Sequence, residues 1–312
     1  MKVRLGLVLA AAALFAGAGC AAGGGGGGGT SAPAGPSLPG GEVLEEGVSP
    51  RDNSHTRSAD LNLTRAQSTT DELEAQQYFQ DAMQAVTDGI TADPGNPKSY
   101  FQGGQAAVGL GDYVAADTLF DKAEELHPRY LIETEGYRER GWVQAYNDGI
   151  EPMNTGDLEA AADFFAAAAN LYGGRPEAHL QLGSINARLD RADAAVAAFE
   201  EALVILEESK SLQLADSANA EIWQQHFDIA TSSLGQTLTY AERYEEAAEL
   251  YTVLMQENPD DVAILGSLAN VLSQLGQPDS VQALYDQLLT RTDLGERELF
   301  NAGVGLYQIE NY

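Results

Sequence analysis

The chain has a single cysteine, Cys20, in 312 residues, so no intramolecular disulfide can form and any folded part rests on packing alone. Basic residues are scarce: 17 Lys and Arg face 47 Asp and Glu, a formal charge of −30. A field of that sign repels phosphate backbones and anionic bilayers, which sets aside nucleic acid and direct adsorption to a membrane surface. Histidine is sparse too. His55, His127, His179 and His226 are far apart and form no His-Glu-x-x-His pattern. There is no Gly-x4-Gly-Lys-Ser/Thr loop to cradle phosphate and no Gly-x-Ser-x-Gly elbow for a nucleophile. Asp93-Pro94-Gly95-Asn96 and Asn258-Pro259-Asp260-Asp261 lack the ligand spacing of a calcium loop. These absences leave no catalytic residue, metal site or cofactor to nominate, and the expectation is a protein that is not an enzyme.

What is present begins with an export signal over residues 1–19. Lys2 and Arg4 precede an apolar run from Leu5 to Phe15, and small residues then lead to Cys20. The run is shorter than the roughly 20 apolar residues that a bilayer span needs. Ala18-Gly19-Cys20 resembles the lipobox of bacterial lipoproteins, although Gly17 stands where that family usually has an aliphatic residue. The resemblance implies lipidation at Cys20, and Ala21 in place of Asp implies the outer membrane, with the protein facing the periplasm or the cell surface. Residues 20–70 then contain seven consecutive glycines, Gly23 to Gly29, followed by Ser, Ala and Pro. Such a segment cannot offset its ordering entropy and is expected to be a flexible tether.

From residue 71 onward helix formers dominate and turn signals recur. Thr69 with Glu72 is read as a capping box opening the first helix. Ala116-x3-Phe120-x2-Ala123 returns as Ala161-x3-Phe165-x2-Ala168 and Ala195-x3-Phe199-x2-Ala202, each after a turn residue, Gly111, Gly156 or Asp190. Several of these positions recur at a step of 34 residues, as do Tyr251 and Tyr285. Preceding helices carry Tyr100-x2-Gly103-Gly104, His179-x2-Leu182-Gly183, Thr231-x2-Leu234-Gly235 and Leu265-x2-Leu268-Ala269. A small residue lets the two helices of a hairpin approach, and a large one fills the remaining gap.

Period and pattern together resemble the tetratricopeptide repeat, a helix-turn-helix unit. The resemblance implies an all-α fold, an α-solenoid of such units wound into a right-handed superhelix. Units are placed near 97–130, 142–175, 176–209, 228–261 and 262–295, with a half-unit over 71–96 in front and a terminal helix over 296–312. Residues 131–141 and 210–227 are insertions that lengthen helices or cover a seam; the second contains Ile222, Trp223 and Phe227. The last segment is either a cap or the start of a further unit in a longer protein.

In this family the first helix of each unit lines the concave face. That carries across to Phe101 and Gln105, to Tyr146, Ile150, Met153 and Asn154, to Leu180 and Arg188, to Gln236 and Tyr240, and to Asn270 as a peptide-binding groove. These positions hold no acids, whereas Asp121 to Glu125, Glu200-Glu201, Glu207-Glu208 and Glu242 to Glu249 fall on second helices and turns. An amphipathic groove suits an extended or helical peptide. The functional expectation is an interaction scaffold of the bacterial cell envelope with a protein or peptide partner. The alternative is a recognition or regulatory segment of a larger envelope enzyme or transport system.

Overall fold

A computed structural model describes residues 44–214, 216–259, 261–290, 295, 296, 300 and 304. The expected leader, Cys20, the glycine run and most of the expected terminal helix fall outside these residues. Among the described residues there are twelve α-helices and no strand. They divide into two compact units, one ending at Ala178 and one beginning at His179.

The first unit contains α1 (Ser54–Ser68), α2 (Glu72–Ala92), α3 (Pro97–Leu110), α4 (Tyr113–Leu126), α5 (Tyr130–Thr155) and α6 (Leu158–Leu171). The helix α7 (Glu177–Arg188) crosses the boundary. The second unit continues with α8 (Ala192–Gln213), α9 (Ser217–Tyr240), α10 (Tyr244–Glu257), α11 (Val262–Gln274) and α12 (Pro278–Leu289).

One rule of register builds the hairpins. Phe120, Phe165 and Phe199 are essentially inaccessible, as are the alanines four residues before and three after each of them. Each ring lies over a glycine of the helix before it, sixteen residues upstream: Gly104 under Phe120, Gly149 under Phe165, Gly183 under Phe199 and Gly235 under Tyr251. A Cβ on Gly104 would stand 2.4 Å from the Phe120 ring, so the helix pair closes only because that side chain is missing. The small-large-small stripe is therefore the inner seam of each hairpin.

Short turns reverse the chain between paired helices. Gly111, Gly156 and Gly276 adopt left-handed φ values of 75°, 86° and 67° in three of these turns. Side chains of Asp71, Asn96, Asp112, Asp157 and Asp261 cap the following helices by accepting backbone N–H groups of the first turn.

Three expectations need correcting. The tether does not run to residue 70, because residues 54–68 are α1, with Ala59, Leu63 and Ala66 buried. Asn53 and Thr56 form the reciprocal capping box of α1, a signal hidden in a polar stretch with few large apolar residues. Consequently residues 71–96 are not a half-unit: α1 and α2 pack as a full hairpin. The cap of α2 is Asp71, whose carboxylate accepts from Leu73 and Glu74, while the Thr69 hydroxyl donates to the Glu74 side chain.

Residues 44–53 also carry specific contacts, as a strap laid along the turns of the first unit. The Val48 amide donates to the Leu126 carbonyl at 2.6 Å. The Asn96 amide group, fully buried, bonds both the N–H and the C=O of Arg51 at 3.0 and 2.8 Å. The Arg51 guanidinium forks onto Asp93 at 3.0 and 2.8 Å.

Both insertions lengthen helices. Residues 131–141 extend α5 to 26 residues, and its Arg138 bonds Asp117, Asp121 and Glu124 of α4 while lying 5.4 Å from the Phe120 ring centre. Residues 210–227 extend α8 and α9, and Trp223 stacks on Phe227 at 5.1 Å while its indole N–H donates to the Leu206 carbonyl.

Candidate functional site

Three of the expected groove residues come together. Arg188 at the end of α7 and Gln236 and Tyr240 at the end of α9 line one cleft of about 370 Å³ in the second unit. Ser184, Ala187, Asp190, Ala192, Ser233 and Thr237 complete its walls, with Phe199 beneath. The positions follow from helix periodicity: 184 and 188 share one face of α7, and 233, 236, 237 and 240 share one face of α9. Phe199 belongs to the hairpin seam and supplies an apolar floor.

The rim is unusual in its backbone. Asp190 and Glu242 have φ of 59° and 57°, where the other three turns of this kind use glycine. Both therefore hold a left-handed conformation that costs a residue with a Cβ on the order of 1 kcal/mol. They stand in the α7–α8 and α9–α10 turns, one after each helix that walls the cleft. The Tyr240 hydroxyl donates to Asp190 Oδ1 at 3.3 Å, and Arg243 bonds Asp193 across the same pair of turns at 3.3 Å. Tyr240 is 73% exposed, an aromatic ring left largely in water.

The remaining expected groove residues lie elsewhere. Leu180 is buried in the core of the second unit with Phe199, Trp223 and Leu234, so its side chain does not reach a binding surface. This corrects its assignment: it lies one turn before Ser184 on the same face of α7, but there it is covered by a core that includes Trp223 and Phe227 of α9. Asn270 is exposed and lines a separate cleft of about 400 Å³ with Gly266, Ser267 and Tyr285. In the first unit Phe101 stacks on Tyr130 at 4.6 Å, and Tyr146 stacks on Trp142 at 5.0 Å with Phe165 edge-on at 5.1 Å. Both are half-buried members of the aromatic core. Gln105, Ile150 and Met153 are half-buried and Asn154 is exposed. On α5 the acids Asp148 and Glu151 are also exposed, so the acid-free description fits the later helices better than this one.

Asp190 was not among the residues nominated from sequence. Its signal was available, since an acid replaces glycine at a turn position that three other hairpins fill with Gly. Among the described residues no group of three or more His, Cys, Asp or Glu is placed to hold a metal. No described helix is long and apolar enough to cross a membrane.

These observations define a class, an all-α protein of repeated helix hairpins with an open cleft between the first helices of successive hairpins. Residues 176–204 and 238–294 each match a model of the tetratricopeptide repeat, so the chain contains such repeats. Similar solved structures include YrrB, described as a tetratricopeptide protein with an unusual peptide-binding site: 14% identity, 70% of this chain, 97% of that one, TM-score 0.36. PilW, a type IV pilus biogenesis factor, shares 14% identity over 83% of this chain and all of its own, at TM-score 0.35. A tetratricopeptide repeat protein from Parabacteroides merdae shares 14% identity over 82% of this chain and 93% of its own, at TM-score 0.32. Comparison with curated proteins finds no match.

Proposed function

We propose that the chain is a non-catalytic protein–protein interaction scaffold of the bacterial cell envelope. In this reading it is exported by residues 1–19, lipidated at Cys20, held at the outer membrane and engaged by its partner through the exposed faces of the first helices. One observation carries the binding surface: in the second unit acids crowd the second helices and are absent from the cleft-lining positions of the first helix α9. The second helices α8 and α10 hold Glu201, Glu208, Glu245 and Glu249 at their surfaces. The first helix α11 has no charged residue, and α9 presents Ile222, Ile229, Gln236 and Tyr240 to solvent, with its two exposed acids, Glu221 and Asp228, confined to the residues before the cleft. An outer coat of acids keeps the protein soluble and repels unspecific anionic partners. The acid-poor face, with scattered exposed apolar side chains between amides and hydroxyls, has the composition of a recognition surface.

The test compares the exported wild-type chain with the Cys20→Ser and the Gln236→Ala/Tyr240→Ala variants in native envelopes. The reading expects metabolic labelling by an alkynyl fatty acid to vanish in the first variant. It expects loss of the crosslinked partner in the second, with helical circular dichroism unchanged. A partner retained by Gln236→Ala/Tyr240→Ala sinks the surface assignment, and labelling that survives Cys20→Ser sinks the anchor.

A further inference from the structure

The cleft between α7 and α9 carries a charge that the rest of its unit leaves unanswered. Acids outnumber bases nearly three to one in this chain, and cations are correspondingly sought after. In the second unit Lys210 pairs with Glu207, and Arg243 pairs with Glu246 and Asp193. Arg188 is exposed, lines the cleft and makes no ion pair among the described residues. Asp190, two residues away, instead accepts the Tyr240 hydroxyl.

The geometry points to a carboxylate ligand: this cleft receives an extended peptide segment of the partner that carries one acidic side chain, seated on Arg188. This rests on the scaffold reading above and names the chemistry its partner presents. The planar guanidinium offers paired donors to a carboxylate, and the ring of Tyr240 offers an adjacent apolar face for a neighbouring side chain. Ser184, Gln236 and Thr237 supply neutral groups that suit main-chain amides. A cationic segment is the occupant that the overall field of −30 attracts over distance. At contact, however, it would meet Arg188, while beyond about 8 Å physiological salt screens the field of the exposed acids.

Asp190 is a positioning residue in this scheme. Glycine serves the same turn position in three other hairpins, so the backbone alone gives no reason for a carboxylate at φ 59°. What a glycine would lose is the acceptor that holds Tyr240 over the cleft.

The experiment selects a displayed library of random dodecapeptides against the intact exported chain, then measures the recovered peptides by fluorescence anisotropy. The expected result is enrichment of Asp or Glu at one position, with affinity falling about tenfold when that residue becomes Asn or Gln. Arg188→Gln should erase the acid-over-amide preference, and Arg188→Lys should restore part of it. Asp190→Gly should weaken binding without lowering the melting temperature, which a merely structural role for Asp190 would not produce. Peptides enriched in Lys or Arg, binding indifferent to Arg188→Gln, or no recovered binder each overturn the inference. The scaffold reading is judged separately by the partner crosslinking described above, so the two can fail independently.

Discussion

The Tyr240 hydroxyl and Asp190 Oδ1 meet at 3.3 Å although fifty residues separate them in the chain. The bond joins two turns whose left-handed residues are acids where sister turns have glycine. It is exposed and long, so its contribution to stability is small. Replacing Asp190 by Gly should therefore leave the fold as stable as before or stabilise it by under about 1 kcal/mol, because the relief of backbone strain exceeds the added freedom of the unfolded chain. Thermal unfolding checks this. A clear drop in melting temperature would mean that the carboxylate holds the turn itself.

The hairpin seam predicts large and position-dependent losses. Phe165→Ala removes a fully buried ring between Ala161 and Ala168 and should cost about 3–5 kcal/mol. Gly183→Ala acts from the opposite side, since its Cβ would fall 2.6 Å from the Phe199 ring and force the pair apart, at about 1–3 kcal/mol. Val114→Ala, on an exposed side chain of α4, should be nearly neutral. Denaturant midpoints of the three variants test the ranking.

The strap offers a prediction that reads out locally. Asn96→Ala removes two bonds to the Arg51 backbone from a fully buried group and should cost about 1–3 kcal/mol. Amide exchange should speed up over residues 48–53 well before it changes in α4. Gly47→Ala should act in the same direction, because a Cβ there would stand 2.5 Å from the Leu126 carbonyl oxygen at a φ of 58°.

The same strap is acid-sensitive. The Arg51 guanidinium holds the Asp93 carboxyl below its ordinary value, and Lys98 does the same for Asp52. A carboxyl depressed in the folded state stabilises it above the unfolded pKa of about 3.9, and that contribution is lost as pH falls through the lower folded value. Protection of the strap amides should thus be flat from neutral pH to about 4 and fall below it. In Arg51→Gln, where the Asp93 depression is removed, protection should already be lower at neutral pH and its fall below about 4 shallower. Exchange measured along a pH series decides the point.

How much of this was legible in the sequence differs by level. The stripe around Phe120, Phe165 and Phe199 reads clearly because a hairpin seam needs a small-large-small order at helical spacing, and few other folds need it at a repeated interval. The hairpin α1–α2 was half hidden. Its first helix buries Ala59, Leu63 and Ala66, too few large side chains to stand out beside a glycine-rich leader, and its cap is the pair Asn53 and Thr56. The cleft was legible only in part. Arg188, Gln236 and Tyr240 follow from helix faces, whereas Leu180 was misplaced because Trp223 and Phe227, which belong to an insertion, join the core that buries its part of the same face. Asp190 was read only as a turn residue, because its place in the cleft depends on a bond to a residue fifty positions away. Phe101 and Tyr146 illustrate the remaining ambiguity: first helices present large rings both to ligands and to the neighbouring hairpin, and here the rings pack on Tyr130 and Trp142.

The central claim, that partners are engaged on the acid-poor face of the first helices, is tested most directly by site-specific photocrosslinking in native envelopes. A photoreactive residue is placed at Gln236 in the cleft or at Glu249 on the acidic face of α10, both exposed. The account predicts a discrete protein adduct from position 236 and none from position 249. Adducts from position 249 with none from 236 would contradict it.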